Sequence, residues 1–186
     1  MYSTTVVVRN DRAQAIHVMQ RDCSAIFKLR PSDATIAGTY PRPDPARPGL
    51  IVPFCSAPWS SCGAFHGCHE MSGVTAYELR PGEELSFVWP GALYPVVDFP
   101  RECQPNTEPP GCDQCVEKRA AKPAHYLVEA DAWSEIQTCW VPGPCPCQPF
   151  DDGTCRRQFT SGQAADLHAA SSFEFPAADS VTVTFQ

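Results

Sequence analysis

Two short motifs in this 186-residue chain have the residue types and spacing to hold a soft metal ion: His17-Val-Met19 and His69-Glu-Met71. Apart from Met1 these are the only methionines, and each follows a histidine by two positions. On a β-strand, positions i and i+2 face the same way, so each motif would offer an imidazole and a thioether together. That donor pair suits Cu(I). Cys68 stands beside the second motif, so the candidate ligand set is His17, Met19, Cys68, His69 and Met71. A blander reading competes. Ile16 and Val18 make the alternate face apolar too, so Met19 fits a core, and His69 fits a cysteine-bounded loop.

The second chemistry is that of sulfur. The chain carries 11 cysteines, far more than a cytosolic enzyme without metals or clusters would hold. Only Cys112-Asp-Gln-Cys115 has the spacing of a zinc knuckle, and no ferredoxin or c-type haem pattern occurs. The spacings therefore favour disulfides over structural metal. An odd count leaves one thiol over, and Cys68 is the first candidate for it. Cys62 with Cys68, Cys103 with Cys112, and Cys147 with Cys155 flank short loops and are candidate bridges, with connectivity open. Disulfides imply an extracytoplasmic protein: secreted, periplasmic or at the cell surface. The opening Met1–Asp11 has neither a basic n-region nor a long apolar h-region, so an exported protein would have lost its leader before this point.

Enzymatic chemistry finds little support. There is no G-x-S-x-G elbow, and His69-Glu70 lacks the second histidine of H-E-x-x-H. No nucleophile with a partnered base can be named, so the chain reads as non-enzymatic with no resident cofactor. A net charge of −7 argues against a nucleic-acid partner, and no apolar run is long enough to span a membrane. Trp59, Phe65, Trp133 and Trp140 fall in or beside loop segments and are candidates for a binding surface.

The elements that must position these groups are strands. Leu, Ile, Val and Phe number only 36, with Val outnumbering Leu two to one. So thin a core needs covalent staples, and its composition leans toward β-structure. Short alternating runs fall at Thr4–Arg9, Ala15–Met19, Glu84–Trp89, His125–Ala130, Ser172–Phe175 and Val181–Phe185. Arg9-Asn-Asp-Arg12 reads as a hairpin connection between the first two, and short helical turns are expected at Val116–Lys122 and Gln163–Ala169. Three Pro- and Cys-rich stretches interrupt the strands near 40–70, 100–120 and 140–158. One domain over 1–186 is expected: all-β, a disulfide-stapled antiparallel β-sandwich with long Pro/Cys-rich loops.

One stretch carries a resemblance. Leu79-Arg-Pro81-Gly82-Glu83-Glu-Leu85-Ser-Phe87-Val-Trp89 resembles the L-x-P-G-E-x-x-x-F-x-W strand–turn–strand of bacterial immunoglobulin-like β-sandwiches. Those include proteinase-inhibitor-like domains and Cys-rich lipoproteins of Gram-negative bacteria. Tyr126-Leu-Val128 is similar to the Y-x-V strand that follows in such domains, although Lys122-Pro123-Ala124 replaces the usual Pro-Gly. The resemblance implies an immunoglobulin-like fold, and with it a lipid anchor or proteinase inhibition as expectations. The functional expectation is a non-enzymatic binding or structural module of the bacterial envelope or extracellular space, with a protein partner or copies of itself. Copper(I) handling through the H-x-M motifs is the alternative, and proteinase inhibition the second alternative.

Overall fold

The computed structural model describes residues 2–19, 26–40, 73–98, 114–136, 148–149, 155–160 and 164–186. Every regular element among them is a strand. A three-stranded sheet takes β1 (Thr4–Asn10) as its centre, with β14 (Ser180–Phe185) parallel on one side and β5 (Glu84–Trp89) antiparallel on the other. A seven-stranded antiparallel sheet runs β11 (Gln148–Pro149), β12 (Cys155–Thr160), β4 (Gly73–Leu79), β2 (Ile16–Met19), β10 (Ala124–Trp133), β13 (Leu167–Phe175). Its seventh strand, β3 (Lys28–Pro31), shares the β2 side of β10. Two short ribbons complete the described strands. One pairs β6 (Ala92–Leu93) with β9 (Arg119–Ala120), the other β7 (Val96–Asp98) with β8 (Gln114–Val116).

The two larger sheets bury their alternating residues in one core. Val6 and Val8 of β1, Trp89 of β5, and Val181, Val183 and Phe185 of β14 meet residues of the larger sheet. That sheet contributes Ile16, Val18, Leu29, Tyr77, Leu79, Tyr126, Val128, Phe173 and Phe175. Trp89 is the hub. Its ring centroid lies 5.2 Å from Tyr126, 5.9 Å from Phe173 and 4.9 Å from Phe175. Its indole Nε1 donates to the Ala92 carbonyl at 2.8 Å, so the burial leaves no polar cost there.

The expected turn at Pro81-Gly82 is present. Glu83 N donates to Arg80 O at 3.0 Å, and Gly82 takes φ +80° at the third position, where a type II turn requires a positive φ. Yet β4 and β5, which it joins, lie in different sheets, so the turn is a corner between them.

Arg9–Arg12 is likewise not the expected hairpin connection: β1 and β2 also belong to different sheets. The reason is Asn10, which is fully buried. Its Nδ2 donates to Leu79 O and Gln14 O, both at 2.9 Å, and its Oδ1 accepts from Arg12 N at 3.0 Å. Its backbone bonds Gly82 N and Glu83 O. The local side-chain bond redirects the chain before a hairpin can close.

The expected helical turns are also replaced. Residues 116–122 hold the end of β8 and all of β9, and Leu167–Ala169 open β13. Runs this short do not nucleate a helix in isolation, and the long ladder to β10 decides the matter for β13. Strands β8, β9 and β11 fall inside stretches read from the sequence as loops, and β12 begins in one.

Replacing Asn10 by Ala strands the Leu79 carbonyl and the Arg12 amide at the corner. The expected loss is about 2–3 kcal/mol, read as a lower urea midpoint with an unchanged m-value.

Candidate functional site

With the inward faces committed to the core, chemistry is left to the outward faces, and that of the seven-stranded sheet carries the candidate His17. On β2 the alternation sends Ile16 and Val18 into the core and turns His17 and Met19 the other way. Register then sets His17 between Glu78 of β4 and Trp133 of β10. Glu78 in turn stands opposite Cys155 of β12, whose Sγ is 3.8 Å from Glu78 Oε2. One line across four strands therefore reads Cys155, Glu78, His17, Trp133.

The motif's two side chains do share a face, as the sequence spacing requires. Met19, however, packs with Ala76, Trp133, Ile136 and Ala165 in a small second apolar cluster. His69, Met71 and Cys68 lie outside the described residues, as do Trp59, Phe65 and Trp140, and Cys62, Cys103, Cys112 and Cys147. Among the described residues no group of three or more His, Cys, Asp or Glu is placed to hold a metal. Trp133, read from the sequence as a surface aromatic, is only 1% exposed: it closes the small cluster against Ala76. Cys155 was a bridge candidate, and it and Cys115 are both disulfide-bonded.

Two polar pairs on this face were invisible to motif reading. His168 of β13 stands opposite Asp131 of β10, and its Nδ1 lies 2.7 Å from Asp131 Oδ1. One position beyond each strand's end, Ser134 N donates to Asp166 Oδ1 at 2.9 Å, and the Ser134 hydroxyl bonds Asp166 Oδ2. The signal for both was present only in the cross-strand register, since the partners are 37 and 32 residues apart. An imidazole oriented by a carboxylate is the base half of a nucleophilic site. Among the described residues no hydroxyl or thiol is hydrogen-bonded to His168, whose side chain is 68% exposed. The arrangement suits polar recognition and the pairing of strands.

Partial burial pushes the Asp166 carboxyl up, but the hydroxyl and amide of Ser134, its own amide and the nearby Arg12 outweigh it. The net shift is downward from the usual value. Compared with known protein families, curated proteins and solved structures, the chain matches none.

Because Asp166 is more acidic when folded, its bonds to Ser134 stabilise the protein above the unfolded-state pKa and are lost as pH falls through the folded one. The thermal midpoint of Asp166→Asn should therefore lie below that of the wild type at neutral pH and converge with it in acid. A constant gap down to pH 2 would contradict the assignment.

Proposed function

We propose that this chain is an immunoglobulin-like β-sandwich, stapled by up to five disulfides, that acts outside the cytoplasm as a non-enzymatic binding or structural module. The bacterial envelope or extracellular space is its setting. The observation that carries the reading is the disulfide state of Cys115 and Cys155 in a chain of 11 cysteines. Two further features support the immunoglobulin-like part. The sheets share one core around a buried Trp, and the Tyr126 hydroxyl donates to Lys122 O four residues upstream at 2.8 Å. A tyrosine bonded back to the chain just before its strand is the corner that such sandwiches use.

Binding suits a fold whose inward positions are spent on packing and whose outward face presents the acid–imidazole pairs Asp131–His168 and His125–Glu174. A second reading, Cu(I) handling, draws on His17 and Met19 sharing one face of β2. The packing of Met19 against Trp133 weighs against it. Proteinase inhibition rests on the motif resemblance alone.

Intact mass before and after reduction tests the first reading: a gain of ten hydrogens corresponds to five bridges, and one thiol alkylates without reductant. Eleven thiols alkylating at once would overturn it, and with it the compartment. For copper, a competition titration of the wild type against Met19→Ala/Met71→Ala decides. Equal binding, or none, ends that reading.

A further inference from the structure

β13 ends the seven-stranded sheet, and among the described residues no strand pairs with its second edge. It is nine residues long, about 30 Å of edge at some 3.3 Å per residue, along which the Glu174 carbonyl already accepts from Ala178 N at 2.9 Å. Its inward residues Leu167, Ala169 and Ser171 are half-buried, whereas their neighbours on β10, Ala132, Ala130 and Val128, are fully buried.

We propose that a second copy of this chain occupies that edge, its β13 antiparallel to the first about a two-fold axis through Ser171. The inference rests on the binding-or-structural reading above and names its partner. The sequence Leu-His-Ala-Ala-Ser-Ser-Phe-Glu-Phe is complementary to its own reverse. Leu167 meets Phe175 of the partner copy, His168 meets Glu174, Ala169 meets Phe173, Ala170 meets Ser172, and Ser171 meets itself. Large residues face small or apolar ones, and the one basic position faces the one acidic position, twice by symmetry.

Face matching agrees. Each pair joins two inward or two outward residues, so the sheet continues without a flip. The other outer strands of comparable length cannot do this over their full span. β5 and β14 have six residues each, and centred self-pairing would set inward side chains against outward ones.

The outward charges extend the match beyond the edge strands. Within one copy, Asp131 of β10 stands beside His168, and His125 of β10 stands beside Glu174. Across the axis the row therefore reads Asp131, His168, then Glu174 and His125 of the second copy: acid, imidazole, acid, imidazole. The mirror row runs the other way.

Sedimentation equilibrium of the oxidised full chain tests this. The wild type should approach twice the 20.4 kDa chain mass with rising concentration. Ser171→Lys sets two ammonium groups opposite each other at the axis and should weaken the dimer about tenfold or more. Ser171→Thr, which keeps a hydroxyl and favours a strand, should leave it intact. Should Ser171→Lys fail to fold by circular dichroism, Glu174→Lys replaces it: that residue is exposed, and the change removes the carboxylate that faces His168 in both symmetric pairs.

A wild-type monomer at every concentration overturns the β13 interface while leaving the binding-module reading to the thiol count. A dimer indifferent to a folded Ser171→Lys or Glu174→Lys variant also overturns it.

Discussion

Everything in this architecture turns on Asn10, a fully buried polar side chain at a point where the chain changes sheets twice. The β1-to-β2 crossing and the β4-to-β5 crossing pass each other there. Each leaves backbone groups without ladder partners, and a buried amide or carbonyl without a partner is costly. Asn10 answers for both crossings: its Nδ2 takes the Leu79 and Gln14 carbonyls, its Oδ1 the Arg12 amide, and its backbone the turn at Gly82 and Glu83. A primary amide has donors and acceptors pointing in separate directions, and neither Asp nor Ser offers that set. A similar device serves the third crossing, from β13 to β14. There Thr4 Oγ1 donates to Ala178 O at 3.1 Å and Thr5 N to Asp179 O at 2.9 Å.

With the corners pinned, a modest amount of apolar surface suffices to join the sheets. Trp89, Tyr126, Phe173 and Phe175 interlock across the gap in tilted, stacked and edge-on arrangements, the geometries aromatic quadrupoles prefer. Trp89 comes from the smaller sheet and the other three from the larger, so this cluster is the joint between them. It also explains how a chain with only 36 large aliphatic and Phe residues has a continuous core: Trp and Tyr supply area that the count omits.

Those same facts mark what could be read from the chain beforehand. Strands announced by alternation, such as Glu84–Trp89 and Val181–Phe185, are where period-2 patterning put them, because one face of each is buried. The Pro81-Gly82 turn was legible because its chemistry is local. What joins distant segments was not. The sheet-changing role of Arg9–Arg12 depends on Leu79, some 70 residues away, and no window around Asn10 contains that carbonyl. β12 was hidden because Cys155-Arg-Arg-Gln-Phe-Thr160 has little apolar alternation, and it owes its place to a ladder with β4. The candidate site divides in the same way. That His17 and Met19 share a face followed from spacing, whereas Asp131–His168 needed the register of two strands.

The cysteines fit the same logic of distant constraint. Cys155 is the first residue of β12 and stands opposite Glu78, and Cys115 sits at the centre of β8 opposite Val97. Both therefore lie in strands bordering Pro-rich sequence, and a cross-link from either removes entropy from the unfolded chain. Hydrogen bonds at Asn10 and Thr4 fix where the chain crosses, and aromatics fix how the sheets meet. On the outward face of the larger sheet the described packing is the small cluster of Ala76 and Trp133 with Met19, Ile136 and Ala165. Beside it, β10 and β13 pair an acid with an imidazole twice, Asp131 with His168 and His125 with Glu174, and β13 is the last described strand of the sheet, so a second such pair of rows can continue the pattern.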